Sequence, residues 1–111
     1  MIEELRQFCL NKTFVTESFP FDENTLVFKV HGKMFALFSL EKEPLRITLK
    51  CNPEKAIELR EKYWQVIAGY HSNKKHWNTV IVDDVSLDLI YCWINHSYEL
   101  VWNKLPKRLK G

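Results

Sequence analysis

The sequence predicts an α+β domain in which helices pack on an antiparallel sheet of about five strands, in the order α-β-β-β-α-β-β-α. Three patterns indicate this fold. Apolar residues recur at helical spacing in three segments, they alternate with polar residues between those segments, and the connections between the strands are short. Helices flanking such a sheet form a two-layer domain. A chain of 111 residues, 46% of them apolar, is typical of a single domain, which we expect to span residues 1–111.

The first half of the chain predicts one helix followed by three strands. Ile2, Leu5 and Phe8 recur at helical spacing and predict a helix over residues 2–11. Turn-forming residues then break this period as far as Asn24. Alternating apolar residues predict three strands, over residues 25–31, 33–40 and 45–51. His31-Gly32 is a candidate two-residue hairpin turn between the first two strands, because glycine tolerates positive φ.

The second half predicts a helix, two strands and a long final helix. Asn52-Pro53 is typical of a helix start, with Asn as N-cap and Pro in the first turn, and this helix is expected to run to about Tyr63. Two strands are expected over residues 66–70 and 76–82, around a polar loop. Ser86 is the expected cap of the last helix, and Pro106 ends it. Its apolar stripe consists of Leu87, Ile90, Tyr91, Ile94, Tyr98 and Val101.

Composition excludes several classes of protein. The three cysteines are far apart and odd in number, which argues against a disulfide framework and for a reducing compartment. The N-terminus carries Glu3 and Glu4 and no apolar run, unlike a signal peptide. The longest apolar run, Met34 to Phe38, is far shorter than the ~20 residues of a membrane span. We therefore expect a cytoplasmic protein that does not associate with membranes.

Residues 69–79, with the sequence GYHSNKKHWNT, form the most unusual segment. Lysines, histidines, asparagines and aromatic residues crowd into a span the size of a hairpin. In one interpretation, Lys74 and Lys75 contact phosphates while Trp77 or Tyr70 stacks on a base. In the other, this is a polar loop whose tryptophan fills the core and whose lysines are solvated. The segment alone leaves both open.

This segment closely resembles a hallmark stretch of the YjbR/MmcQ family of small bacterial proteins. Similar stretches occur elsewhere: TLVFKV from Thr25, GKMFAL from Gly32, LKCNP from Leu49 and HSYELV from His96. The main departure is Asn11 to Phe14, where the family usually has a Leu-Pro-Gly turn. The resemblance marks a group of motif residues in the hairpin: Tyr70, His71, Asn73, His76, Trp77 and Asn78.

The resemblance implies a frataxin-like α+β fold, a double-wing arrangement and binding to DNA. Basic residues on the predicted strands, hairpin and tail are the candidate phosphate contacts: Arg46, Lys50, Lys74, Lys75, Lys104, Lys107 and Arg108. DNA is the expected partner, bound weakly and without sequence preference. Two alternatives stay open. One is a protein partner on exposed Trp64 and Trp102, and the other is a small ligand held by Tyr70, His71, His76 and Trp77.

The sequence shows no pattern typical of catalysis or of metal binding. It has no nucleophile elbow and no glycine-rich phosphate loop, so we expect no enzymatic activity. Cys92 and His96 share a helix face at i,i+4, and His71 and His76 could in principle complete a set of four metal ligands. No second pair has diagnostic spacing. The expectation is a protein with no metal and no cofactor.

Overall fold

A computed structural model describes residues 1–69 and 73–110. In this part of the chain a six-stranded antiparallel sheet carries its helices on one face. The helices are α1 (Ile2–Leu10), α2 (Pro53–Lys62), α3 (Leu87–Asn103) and α4 (Lys107–Lys110). The strands are β1 (Val15–Ser18), β2 (Thr25–Val30), β3 (Lys33–Ser39), β4 (Arg46–Lys50), β5 (Val66–Ala68) and β6 (Trp77–Ile81).

The sheet runs in the order β1-β2-β3-β4-β6-β5, and each pair is antiparallel. One face of it meets Leu5 and Cys9 of α1 and the buried residues of α3 in a single large core. Phe28, Phe38 and Ile47 lie on that face and are fully buried. The predicted two-layer α+β fold is thus confirmed. None of the helices in the described ranges combines the length and apolar character that a membrane span requires.

Local signals in the sequence account for the turns and helix starts. His31 and Gly32 both have positive φ, 47° and 78°, as a two-residue type I′ turn requires. The Asn52 side chain accepts hydrogen bonds from the backbone N–H groups of Glu54 and Lys55 and caps α2. Ser86 caps α3 by accepting from Leu89 N at 3.1 Å.

Strand β1 and the short helix α4 are the two elements that the sequence did not predict, and β1 raises the sheet from about five strands to six. Its four residues are too short for a clear alternation pattern, and their pairing depends on the free edge of β2. Glu17 of β1 accepts two hydrogen bonds from the Arg6 guanidinium, at 2.7 and 2.6 Å, which ties the edge to α1. The Arg6 charge and hydrogen bonds lower the pKa of Glu17.

The face of the sheet away from the helices carries a second, smaller core. Val27, Leu37 and Trp77 are buried there, and Met34 packs against them. The strand register places Lys29, Arg46 and Lys50 on the same face. On this face Arg46 lies at one end of the sheet. Met34, Lys50 and Trp77 lie at the opposite end, where β3 begins, β4 ends and β6 begins, and Lys29 pairs with Met34 there.

Candidate nucleic-acid interface

A cleft of about 440 Å³ opens at this end of the sheet, between the strand ends and the C-terminal end of α3. We call it the basic cleft, and its lining consists of Lys33, Met34, Lys50, Trp77, Val101, Lys104, Leu105 and Pro106. Trp77, Val101 and Leu105 are buried and form an apolar floor. The volume lies in the range of roughly 300–1,000 Å³ that is usual for small-ligand sites.

Three lysines give the basic cleft its charge. Lys33, Lys50 and Lys104 come from three separate elements, and no acidic residue is among the residues that line the cleft. None of the three takes part in an ion pair within the described chain. Burial lowers the pKa of Lys50, and the nearby positive charge of Lys104 lowers it further. An anion between these ammonium groups would relieve their repulsion.

A buried serine of α3 fixes the position of the cleft. Ser97 Oγ accepts from the backbone N–H of Lys50 at 2.9 Å and donates to the carbonyl of Phe35 at 2.5 Å. These two bonds lock α3 across β3 and β4. The last turn of the helix is thereby carried over the strand ends, which brings Lys104 beside Lys50.

The described part of the hairpin motif is largely structural. Trp77 is only 7% exposed, so its indole belongs to the small core on the helix-free face. Asn78 is also buried: its side chain donates to the Ala56 carbonyl at 3.2 Å and accepts from Arg60 Nη1 at 2.7 Å. These contacts hold α2 on β6. Burial of Trp77 agrees with the interpretation in which the tryptophan fills the core.

The other described motif residues, Asn73 and His76, precede β6. Asn73 is exposed in the loop before β6, next to the exposed Lys74 and Lys75. His76 is half-buried, and its carbonyl accepts from the backbone N–H of Cys51 at 2.7 Å, which extends the β4–β6 pairing. Tyr70 and His71 lie outside the described residues, so the small-ligand site predicted around them has no structural account.

Six of the seven predicted phosphate contacts share one end of the sheet. Lys50 and Lys104 line the basic cleft. Lys74 and Lys75 precede its Trp77, and the exposed Lys107 and Arg108 follow its Pro106. The seventh predicted contact, Arg46, lies at the far end of the sheet.

Arg46 lies apart because it begins the strand that Lys50 ends, about 13 Å away at ~3.3 Å per residue. Sequence reasoning also missed Lys33. No local pattern marks Lys33, because its role depends on the turn that brings the start of β3 to α3.

Of the candidate metal ligands, His71 lies outside the described residues, and the other three, His76, Cys92 and His96, are not grouped with a further ligand in the described part of the chain. Cys92 is exposed, and His96 Nε2 accepts from the backbone N–H of Asn52 at 3.2 Å. Burial and the charge of Lys55 lower the pKa of His96, which favours the neutral imidazole that this bond requires. Within residues 1–69 and 73–110, no three His, Cys, Asp or Glu side chains are grouped closely enough to hold a metal ion.

The two tryptophans of the predicted protein-binding patch differ in exposure. Trp64, just after α2, is 62% exposed. Trp102 is half-buried and stacks on Tyr98 and Phe14, with ring centroids 5.9 and 6.3 Å apart. The two side chains therefore do not present equivalent apolar surface.

Comparison with known proteins identifies the family of this chain. The family model YjbR matches residues 10–100. The chain is 36% identical to the protein YbdF of Escherichia coli O157:H7 over 107 residues, covering 96% of this chain and 88% of that protein. It is 34% identical to YjbR of Escherichia coli K12 over the same length, covering 96% of this chain and 91% of the relative.

Solved structures of similar proteins have the same fold as this chain. A crystal structure of the Deinococcus radiodurans protein DR2400 superposes with a TM-score of 0.92 at 39% identity, covering 99% of this chain and 85% of that one. A Pseudomonas syringae protein shares the fold, with a TM-score of 0.74 at 24% identity and coverage of 88% and 96%. The predicted resemblance is thus confirmed, and the chain belongs to the YjbR family.

Proposed function

We propose that this protein is a non-enzymatic nucleic-acid-binding module that holds the phosphate backbone of DNA without reading its sequence. The observation that carries the proposal is the convergence of Lys33, Lys50 and Lys104 on one cleft whose described lining contains no carboxylate. Like charges that face each other raise each other's electrostatic free energy, and an anion bound between them lowers it. A cytoplasmic location is part of the proposal.

The surroundings of the basic cleft support a polyanion as the ligand. Lys74 and Lys75 extend the positive surface from the Trp77 side, and Lys107 and Arg108 extend it from the Pro106 side. Such a spread of charge matches a chain of phosphates better than a single small anion. Phosphate contacts position a protein on DNA but carry no sequence information, so binding is expected to be sequence-independent.

The test is a salt titration of DNA binding with two matched triple variants. The first, Lys33→Gln, Lys50→Gln, Lys104→Gln, removes the charge of the cleft. The second removes the same charge at the far end of the sheet, through Lys42→Gln, Arg46→Gln and Lys62→Gln. The cleft variant is expected to lose about three units of log K versus log salt slope, one per phosphate contact, and therefore to bind about a thousandfold more weakly at ~50 mM salt.

The far-end variant is expected to keep nearly the wild-type slope, although its net charge is the same as that of the cleft variant. Thermal melts establish that both variants are folded. Equal losses in the two variants would mean that only net charge matters. No binding by the wild type even at ~50 mM salt, where phosphate contacts are strongest, would end the nucleic-acid proposal.

A protein partner is the second candidate, favoured by the exposure of Trp64 together with two aromatic residues of the β1–β2 loop. Phe19 and Phe21 are 50% and 56% exposed. Large exposed aromatic side chains are common in protein interfaces. These three residues lie outside the basic cleft, so their alanine variants separate the two candidates: DNA binding is expected to be unaffected by them.

A further inference from the structure

We infer that the basic cleft holds one unstacked nucleotide, so that the protein binds single-stranded nucleic acid in preference to duplex. This inference rests on the proposed function and narrows its ligand. It follows from the shape and mixed chemistry of the cleft, since phosphate contacts alone would not need a concave site.

The lining of the cleft offers two kinds of surface to a ligand. Lys33, Lys50 and Lys104 provide cations for the phosphate of one nucleotide and for the phosphates next to it. Met34, half-buried, and Pro106, exposed, form apolar walls above the buried floor. A nucleotide has the same division, because a planar base with apolar faces is joined to a charged phosphate. A bare phosphate would leave the apolar walls uncovered.

Duplex DNA cannot place a base in such a cleft without breaking a pair. Its bases are stacked and paired, and a protein reaches them only along the grooves or by extruding one at a cost of a few kcal/mol. The bases of a single strand are already available for contact with aromatic and apolar side chains. The cleft therefore favours the single strand, and the flanking Lys74, Lys75 and Lys107 lie where neighbouring phosphates would pass.

The experiment compares four fluorescent or competing ligands on the full chain at one salt concentration. They are a twelve-residue oligothymidylate, a duplex of the same length, an oligonucleotide of the same length with abasic sites throughout, and thymidine monophosphate. The oligothymidylate is expected to bind about fivefold tighter than both the duplex and the abasic strand, since covering part of a base with the apolar walls of the cleft is expected to contribute roughly this factor. Thymidine monophosphate is expected to compete only weakly.

A matched pair of variants locates the base. Met34→Ala shortens a wall of the cleft and is expected to reduce the affinity for oligothymidylate while leaving affinity for the abasic strand unchanged. Ile67→Ala shortens an apolar side chain on β5, 37% exposed and outside the cleft, and is expected to change neither. Thermal melts show whether each variant is folded. Should Met34→Ala unfold, Pro106→Ala supplies the same test at an exposed apolar residue of the cleft lining.

The outcomes separate this inference from the proposed function. Equal affinity for the single strand, the abasic strand and the duplex, all dependent on the cleft lysines, would overturn the single-strand inference and leave backbone binding in place. Monophosphate binding as tight as that of the oligothymidylate would also overturn it, because the occupant would then be a free nucleotide. If the protein bound no nucleic acid at all, both the single-strand inference and the proposed function would be overturned.

Discussion

The two ends of the antiparallel sheet carry opposite charge. At one end lie the basic cleft, the hairpin loop and the tail, with Lys33, Lys50, Lys74, Lys75, Lys104, Lys107, Arg108 and Lys110. Glu54, in the first turn of α2, and Glu99, in the last part of α3, also lie toward this basic end. The other, acidic end holds the β1–β2, β3–β4 and β6–α3 connections, with Asp22, Glu23, Glu41, Glu43, Asp83 and Asp84, and the basic residues Lys42, Arg46 and Lys62 lie there too.

This difference shows that net charge is a poor guide to the electrostatics of the molecule. The formal charge is only +2, because the two ends nearly cancel in the sum. They do not cancel in space, since a strand length separates them and the Debye length is about 10 Å at 0.1 M salt. A polyanion that approaches the basic end is therefore attracted by it and is expected to be oriented by the acidic end.

The largest expected effect comes from the tryptophans of the two ends. Trp77 at the basic end is 7% exposed, and Trp64 at the acidic end is 62% exposed. Trp77→Ala is expected to cost about 3–5 kcal/mol of unfolding free energy, because it leaves a cavity in the small core. Trp64→Ala is expected to change the unfolding free energy by less than about 0.5 kcal/mol. Urea denaturation measures both, and similar costs would show that Trp77 is not a core residue.

Two glycines of the basic end come next. A Cβ on Gly69 would lie 2.8 Å from backbone atoms of Trp77 and Asn78, whereas a Cβ on Gly32 would meet nothing within 4 Å. Gly69→Ala is expected to cost about 2–3 kcal/mol by forcing β5 and β6 apart. Gly32→Ala is expected to cost about 1 kcal/mol from the strain of positive φ alone. If the order of the two melting temperatures were reversed, close approach of the strands would not be what requires Gly69.

The hairpin lysines test whether the basic end extends beyond its cleft. Lys74→Ala with Lys75→Ala is expected to lower the log K versus log salt slope for DNA by about two and to leave the melting temperature nearly unchanged, since both side chains are exposed. Lys42→Ala with Lys62→Ala, two lysines at the far end of the sheet, is the control of equal charge. An unchanged slope in the hairpin variant would confine DNA contacts to the cleft and tail.

The smallest effect is expected at the acidic end. Glu41→Gln with Glu43→Gln raises the net charge by two at exposed positions of the β3–β4 connection. Beyond a Debye length from the cleft, these charges are screened at ~0.1 M salt, and DNA affinity is expected to change less than twofold. A larger gain, measured by the same binding assay, would show that the acidic end repels DNA directly and that it lies closer to the bound strand than the cleft implies.

The local structure of this protein could be predicted from the sequence. The caps Asn52 and Ser86, the turn at His31-Gly32 and the alternating strands depend on contacts within a few residues, so short patterns determine them. The motif in residues 69–79 likewise indicated the YjbR family, because it depends on the order of neighbouring residues alone. The edge strand β1 escaped prediction because its four residues form a strand only beside β2.

The tertiary structure alone decided which charges meet. Lys33, Lys50 and Lys104 are far apart in the chain, and they converge because the strand register and the two hydrogen bonds of Ser97 fix α3 over the ends of β3 and β4. The same register separates Arg46 from Lys50, although both were predicted as contacts of one ligand. Such convergence depends on contacts between residues distant in sequence, to which neither periodicity nor composition is sensitive.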